Sequence, residues 1–109
     1  MARQNEREKR DRAGGASHRA KTTTNHAEIQ AWIEKREGQP ATVKGTARQG
    51  ETVGMLRVSF PGHGRDESLQ EVTWEDFFAK FDQANLAFLY QDTTEEGGTS
   101  RFFKFVRRR

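Results

Sequence analysis

Two stretches of the chain repeat apolar residues at helical spacing. Ile29, Trp32 and Ile33 fall at i, i+3 and i+4, and Trp74, Phe77, Phe78 and Phe81 at i, i+3, i+4 and i+7, the signature of one buried helix face. Each stripe is preceded by a capping residue. Asn25 stands before the first with Glu28 three residues on, where its carboxylate reaches back to the cap amide as in a capping box. Thr73 stands before the second with Asp76 three residues on, and Val72 packs on Phe77 as a hydrophobic staple. Gly38 and Pro40 end the first helix, one by tolerating a left-handed turn and the other by lacking a backbone donor.

The remaining apolar positions read as strands. Ala41 to Thr46 is a modest strand, and Leu56-Arg57-Val58-Ser59-Phe60 alternates at period two, the mark of a half-buried strand. The glycine-containing loop Ala47 to Gly54 joins them as a hairpin, and Pro61 to Glu71 is a polar, exposed connector. Leu86 to Gln91 forms a strand, Asp92 to Ser100 a turn-rich loop, and Phe102 to Val106 the last strand. Phe102, Phe103 and Phe105 put aromatics on both faces of that strand, so its register stays open. Cap, helix and hairpin thus occur twice, in the order α-β-β-α-β-β. The expected fold is α+β: a two-layer sandwich with a mainly antiparallel four-stranded sheet and both helices on one face.

Composition divides this body from its ends. Between Ala2 and Thr24 there is no Ile, Leu, Val, Phe, Tyr or Trp, so residues 1–24 are expected to form a disordered basic arm. Residues 25–107 form the domain and 108–109 a basic end. Apolar residues make up 32% of the 109, enough for a single core and too few for a deep catalytic cavity. The absence of cysteine removes disulfides, thiolate zinc sites and thiol nucleophiles. No apolar run approaches the length of a membrane span or a secretion signal. A cytoplasmic protein without membrane association is the reading that follows.

Charge is distributed as unevenly as hydropathy. Residues 1–24 carry seven Lys/Arg against three Asp/Glu, residues 101–109 five against none, and residues 25–100 seven against thirteen. Basic ends on a small body fit phosphate, because Lys and Arg displace counterions condensed on nucleic acid. Arg7, Lys9, Arg10, Arg12, Arg19 and Lys21 would supply contacts from the arm. Arg101, Lys104, Arg107, Arg108 and Arg109 would supply contacts anchored to the last strand. If the outer face of the sheet is open, Tyr90 and whichever of Phe102 and Phe103 points outward would stack on bases beside Arg57, Arg101 and Lys104.

Other chemistry is weaker in this sequence. Glu75-Asp76 and Glu95-Glu96 are adjacent carboxylates, but the first pair complements a helix dipole and the second lies in a polar turn. His18, His26 and His63 lack the i, i+4 pairing of a helical metal site. Phe60-Pro61-Gly62-His63-Gly64-Arg65 offers amides, an imidazole and an arginine to an anion, without the GK[ST] ending of a phosphate-binding loop. No metal or cofactor is expected.

The runs Thr23-Thr24-Asn25-His26, Pro40-Ala41-Thr42-Val43-Lys44-Gly45-Thr46, Phe60-Pro61-Gly62, Trp74-Glu75-Asp76-Phe77-Phe78, Leu89-Tyr90-Gln91-Asp92 and Ser100-Arg101-Phe102 resemble a family of small bacterial proteins. Its members carry the label "1,4-alpha-glucan branching enzyme". The resemblance spans about residues 22 to 107 and implies a bacterial cytoplasmic protein. It brings no catalytic residue with it. Glycosyl transfer needs an acid and nucleophile pair of carboxylates, normally on a barrel of about 250 residues, which a domain of this size does not build.

The expected function is therefore that of a non-enzymatic binding module that associates with nucleic acid through its basic ends, largely without sequence specificity. The alternative is a protein-interaction or regulatory module using the acidic middle, including Glu67, Glu71, Asp82, Asp92, Glu95 and Glu96, or an exposed sheet. A carbohydrate-binding accessory is a third reading, resting on the family label.

Overall fold

The computed structural model describes residues 19–62 and 66–108. Eight elements follow in order: β1 (Ala20–Thr23), α1 (His26–Lys35), β2 (Gln39–Val43), β3 (Leu56–Ser59), β4 (Leu69–Glu71), α2 (Trp74–Gln83), β5 (Leu86–Gln91) and β6 (Phe103–Arg107). Their class is α+β. The strands form two three-stranded antiparallel sheets, in the orders β1-β5-β6 and β3-β2-β4.

This corrects the expectation of one four-stranded sheet and of the order α-β-β-α-β-β. Two strands lie where hydropathy predicts none. β1 has no large apolar side chain and joins β5 through its backbone, with Lys21 opposite Tyr90 and Thr23 opposite Phe88. β4, within the stretch read as an exposed connector, joins β2 with Val43 opposite Leu69. Ladder hydrogen bonds need only backbone groups, so such edge strands leave little trace in side-chain pattern. The single sheet fails because no ladder joins β3 to β6. Aromatic side chains meet there instead, with the Phe60 and Phe103 rings 5.9 Å apart.

Both helices form where the stripes place them, although the details of their ends differ. The Asn25 side chain accepts from the Glu28 amide at 2.8 Å, as a cap should. The reciprocal half of the capping box is replaced. Thr23 Oγ1 accepts from the Asn25 amide at 3.0 Å and donates to the Glu28 carboxylate at 2.8 Å, so β1 supplies the partner. At the other end of α1 the left-handed residue is Glu37, with φ 61°, and not Gly38. The Gly38 amide returns to the Ile33 carbonyl at 2.9 Å. A Cβ on Gly38 would stand 2.8 Å from Ile33 Cγ2, so this glycine is required by close packing. α2 ends alike, with Asn85 at φ 58°, which preserves the repeated cap–helix–strand pattern.

The two stripes meet in one core. Ile29, Ile33, Phe77, Phe81 and Phe88 are its largest fully buried side chains, each contributing about 1.5–3 kcal/mol relative to exposure. Trp32 lies 5.4 Å from Phe88 and 6.2 Å from Phe103, and Phe77 lies 6.1 Å from Phe105. Both helices therefore cover the same face of β5 and β6. Strand alternation sends Ala87, Leu89, Lys104 and Val106 to the opposite face.

Candidate nucleic-acid interface

The register of β6 decides which aromatics are available to a partner. Phe105 pairs with Phe88 and Phe103 with Tyr90, so Phe103 and Phe105 face the helices. Tyr90 is also withdrawn from the expected stacking surface: it is buried, and its hydroxyl donates to the Glu28 carboxylate. Phe102 goes the other way. Its carbonyl accepts from the Gln91 amide at 3.2 Å, which continues the ladder and places its ring on the uncovered face, 48% exposed.

Lys104 is exposed two residues further on, on the same face by strand alternation and about 7 Å along the strand. Toward the end of β6, Val106, Arg107 and Arg108 line a shallow depression of about 650 Å³ with Thr22, Ala87 and Leu89. The open face of this sheet thus carries an exposed ring at one end, a lysine beside it and small and apolar side chains in its middle, while Arg107 shares the strand parity of Phe103 and Phe105.

The expected cations have separate fates. Arg7, Lys9, Arg10, Arg12 and Arg109 lie outside the described residues, as do His18 and the His63-Gly64-Arg65 part of the anion-loop candidate. Arg19 is exposed just before β1. Lys21 is engaged by Asp92 at 3.1 Å. Arg57 stands on β3, in the other sheet, and does not join the β6 group. Arg101 is exposed at the strand entrance, with its guanidinium 5.2 Å from the Phe60 ring centre. Arg107 is exposed. Arg108 has a structural role: Nε donates to the Leu86 carbonyl at 2.9 Å and Nη2 to Asp82 at 3.0 Å.

Of the acidic residues expected to meet a protein partner, Asp82 and Asp92 are paired internally, whereas Glu67, Glu71, Glu95 and Glu96 are exposed. Asp82 holds Arg108 and also His26, whose Nε2 lies 3.0 Å away and whose ring stacks on Phe78 at 4.2 Å. Asp92 holds Lys21 and Glu51 holds Lys80 at 3.2 Å. Among the described residues no three His, Cys, Asp or Glu side chains converge as metal ligands would, and no helix is long and apolar enough to cross a membrane.

One structural residue escapes the charge pattern. Arg36, at the end of α1, is 6% exposed and donates to the carbonyls of Trp32, Asp92 and Ser100. Its guanidinium lies 4.1 Å from the centre of the Trp32 ring. It ties the 92–100 loop to the helix and thereby sets where β6 begins and where Phe102 emerges. Its place one turn after Trp32 is the signal available in sequence; two of its three carbonyl partners, Asp92 and Ser100, come from far along the chain. No family model, no curated protein and no solved structure matches the chain.

Proposed function

We propose that this protein is a non-enzymatic binding module that holds single-stranded nucleic acid on the open face of the β1-β5-β6 sheet, largely without sequence preference. The observation that carries this reading is the pairing of exposed Phe102 with exposed Lys104 on a sheet face that both helices leave uncovered. A base stacks on an exposed ring whatever its identity, and neighbouring cations take the phosphates. Arg101 and Arg107 are exposed but alternate with Phe102, Lys104 and Val106, so they add phosphate contacts from around the border of that face. The cations of residues 1–18 and Arg109 add phosphate contacts from the chain ends.

The protein-interaction reading loses Asp82 and Asp92, which are already ion-paired, and keeps Glu67, Glu71, Glu95 and Glu96, which are exposed. The test is a fluorescence-anisotropy titration of labelled single-stranded DNA, single-stranded RNA and duplex DNA at about 50 and 200 mM salt, where phosphate contacts differ most in strength. Micromolar binding to single strands that weakens with salt and with Phe102→Ala supports the proposal. Absence of binding at the lower salt overturns it.

A further inference from the structure

A second concavity lies away from the open face of that sheet. It is a groove of about 350 Å³ between α2, the loop before β3, and the strands of both sheets. Its apolar part comes from Leu56 of β3, Leu86 of β5 and Phe105 of β6. Met55 forms a lip and is 50% exposed, an unusual position for so large an apolar side chain in this protein.

Three cations stand around these apolar side chains: Arg48, Arg57 and Lys80. Lys80 is matched by Glu51 at 3.2 Å. The Lys80 hydrogen bond and the Arg48 amide hold that carboxyl below the usual range, so it is ionised near neutral pH. Among the described residues, neither Arg48 nor Arg57 has a carboxylate within ion-pairing distance. The guanidinium of Arg57 donates to the Leu56 carbonyl at 2.9 Å, and among the described residues no carboxylate neutralises its charge. The groove therefore combines an apolar lining with a net positive rim.

We infer that this groove binds a small amphipathic anion, a carboxylate or phosphate head on an aliphatic or aromatic body. The body covers Leu56, Leu86, Phe105 and Met55, and the head meets Arg57 and Arg48, whose planar forks donate to either oxyanion. The volume matches the lower end of small-molecule pockets. Arg57, which does not belong with the cations of β6, is given a role by this site.

The test is a titration of the full chain with octanoate and octyl phosphate, with octanol and acetate as probes lacking the charge or the body, followed by amide NMR. Saturable shifts at Met55, Leu56, Leu86 and Phe105 are expected with octanoate or octyl phosphate. Octanol and acetate should bind at least tenfold more weakly. Arg57→Gln and Arg48→Gln, both exposed changes, should each weaken anion binding about tenfold, while Lys44→Gln leaves it unchanged. Equal binding of octanol, shifts centred elsewhere, or full affinity in both arginine variants would overturn the inference. The result is independent of nucleic-acid binding, which is read at Phe102.

Discussion

Arg108 and Asp82 join the last described residue of the chain to the end of the second helix, with Nη2 3.0 Å from Oδ1. The Arg108 hydrogen bond first, and the His26 hydrogen bond second, hold the Asp82 carboxyl below its ordinary range. A depressed carboxyl stabilises the fold above its unfolded-state value, about 3.9, and the gain disappears as pH falls through the lower folded-state value. The Asp82 side chain is 47% exposed, so solvent screens the pair and the contribution is small. Asp82→Asn should flatten the acid limb of a urea-denaturation profile measured between pH about 5 and 2. An acid limb identical to that of the unmodified chain would contradict this role.

The chain has one tyrosine, which makes its titration directly readable. Burial, and then the hydrogen bond to Glu28, push the Tyr90 phenol above its ordinary value of 10.0. A raised folded-state value means that the stabilisation is complete below pH about 10 and is lost as pH rises toward the folded-state value. Phenolate absorbance near 295 nm should therefore stay absent in the folded protein at pH about 11 and appear together with unfolding. Reversible ionisation at pH about 10 with the fold intact would refute the burial argument.

Arg36 satisfies three carbonyls from a buried position. Arg36→Met keeps much of the packing but strips those acceptors of their partner, at about 1–3 kcal/mol for each one left buried. The expected loss is about 3 kcal/mol in denaturant unfolding, and hydrogen exchange should show the 92–100 loop loosening first. A loss below about 1 kcal/mol would mean that water replaces the guanidinium.

Glycine chemistry differs at two loop positions. Glu37 occupies the left-handed region at φ 61°, so Glu37→Gly should stabilise the protein by about 1 kcal/mol. Gly54 is the opposite case. A Cβ there would stand 2.1 Å from Thr46 Oγ1 and 2.3 Å from the Thr46 carbonyl carbon. Gly54→Ala must displace backbone and should cost about 1–3 kcal/mol. Thermal unfolding of the two variants should move in opposite directions, and a shared direction would show that one of these contacts is misjudged.

Phe102→Ala removes the stacking ring and should weaken single-strand binding by about 1–3 kcal/mol, near ten- to hundredfold. Lys104→Gln should lower the salt slope by about 0.7 for the lost phosphate contact, with little change in preference among sequences. Salt-dependent anisotropy separates these effects. Equal affinity and slope in both variants would remove the sheet face from the binding surface.

Helix position was legible because its signal is local. Ile29, Trp32 and Ile33, and the four aromatics from Trp74 to Phe81, repeat with the helix and need no distant residue to be recognised. The caps Asn25 and Thr73 were legible for the same reason. The candidate surface was half legible: its charges could be counted, yet Lys21 and Arg108 turned out to be spent on Asp92 and Asp82.

The local patterns of the chain specify two capped amphipathic helices, the hairpin strands between and after them, and an excess of cations near the ends. Tertiary structure settles the division into two sheets, the recruitment of β1 and β4, and the outward turn of Phe102. It also buries Arg36 against carbonyls from two parts of the chain. These outcomes depend on backbone pairing and on contacts between residues as distant as Arg36 and Ser100. Side-chain periodicity reports which face of an element is apolar. It carries no record of which backbone edge, or which remote carbonyl, that element will meet.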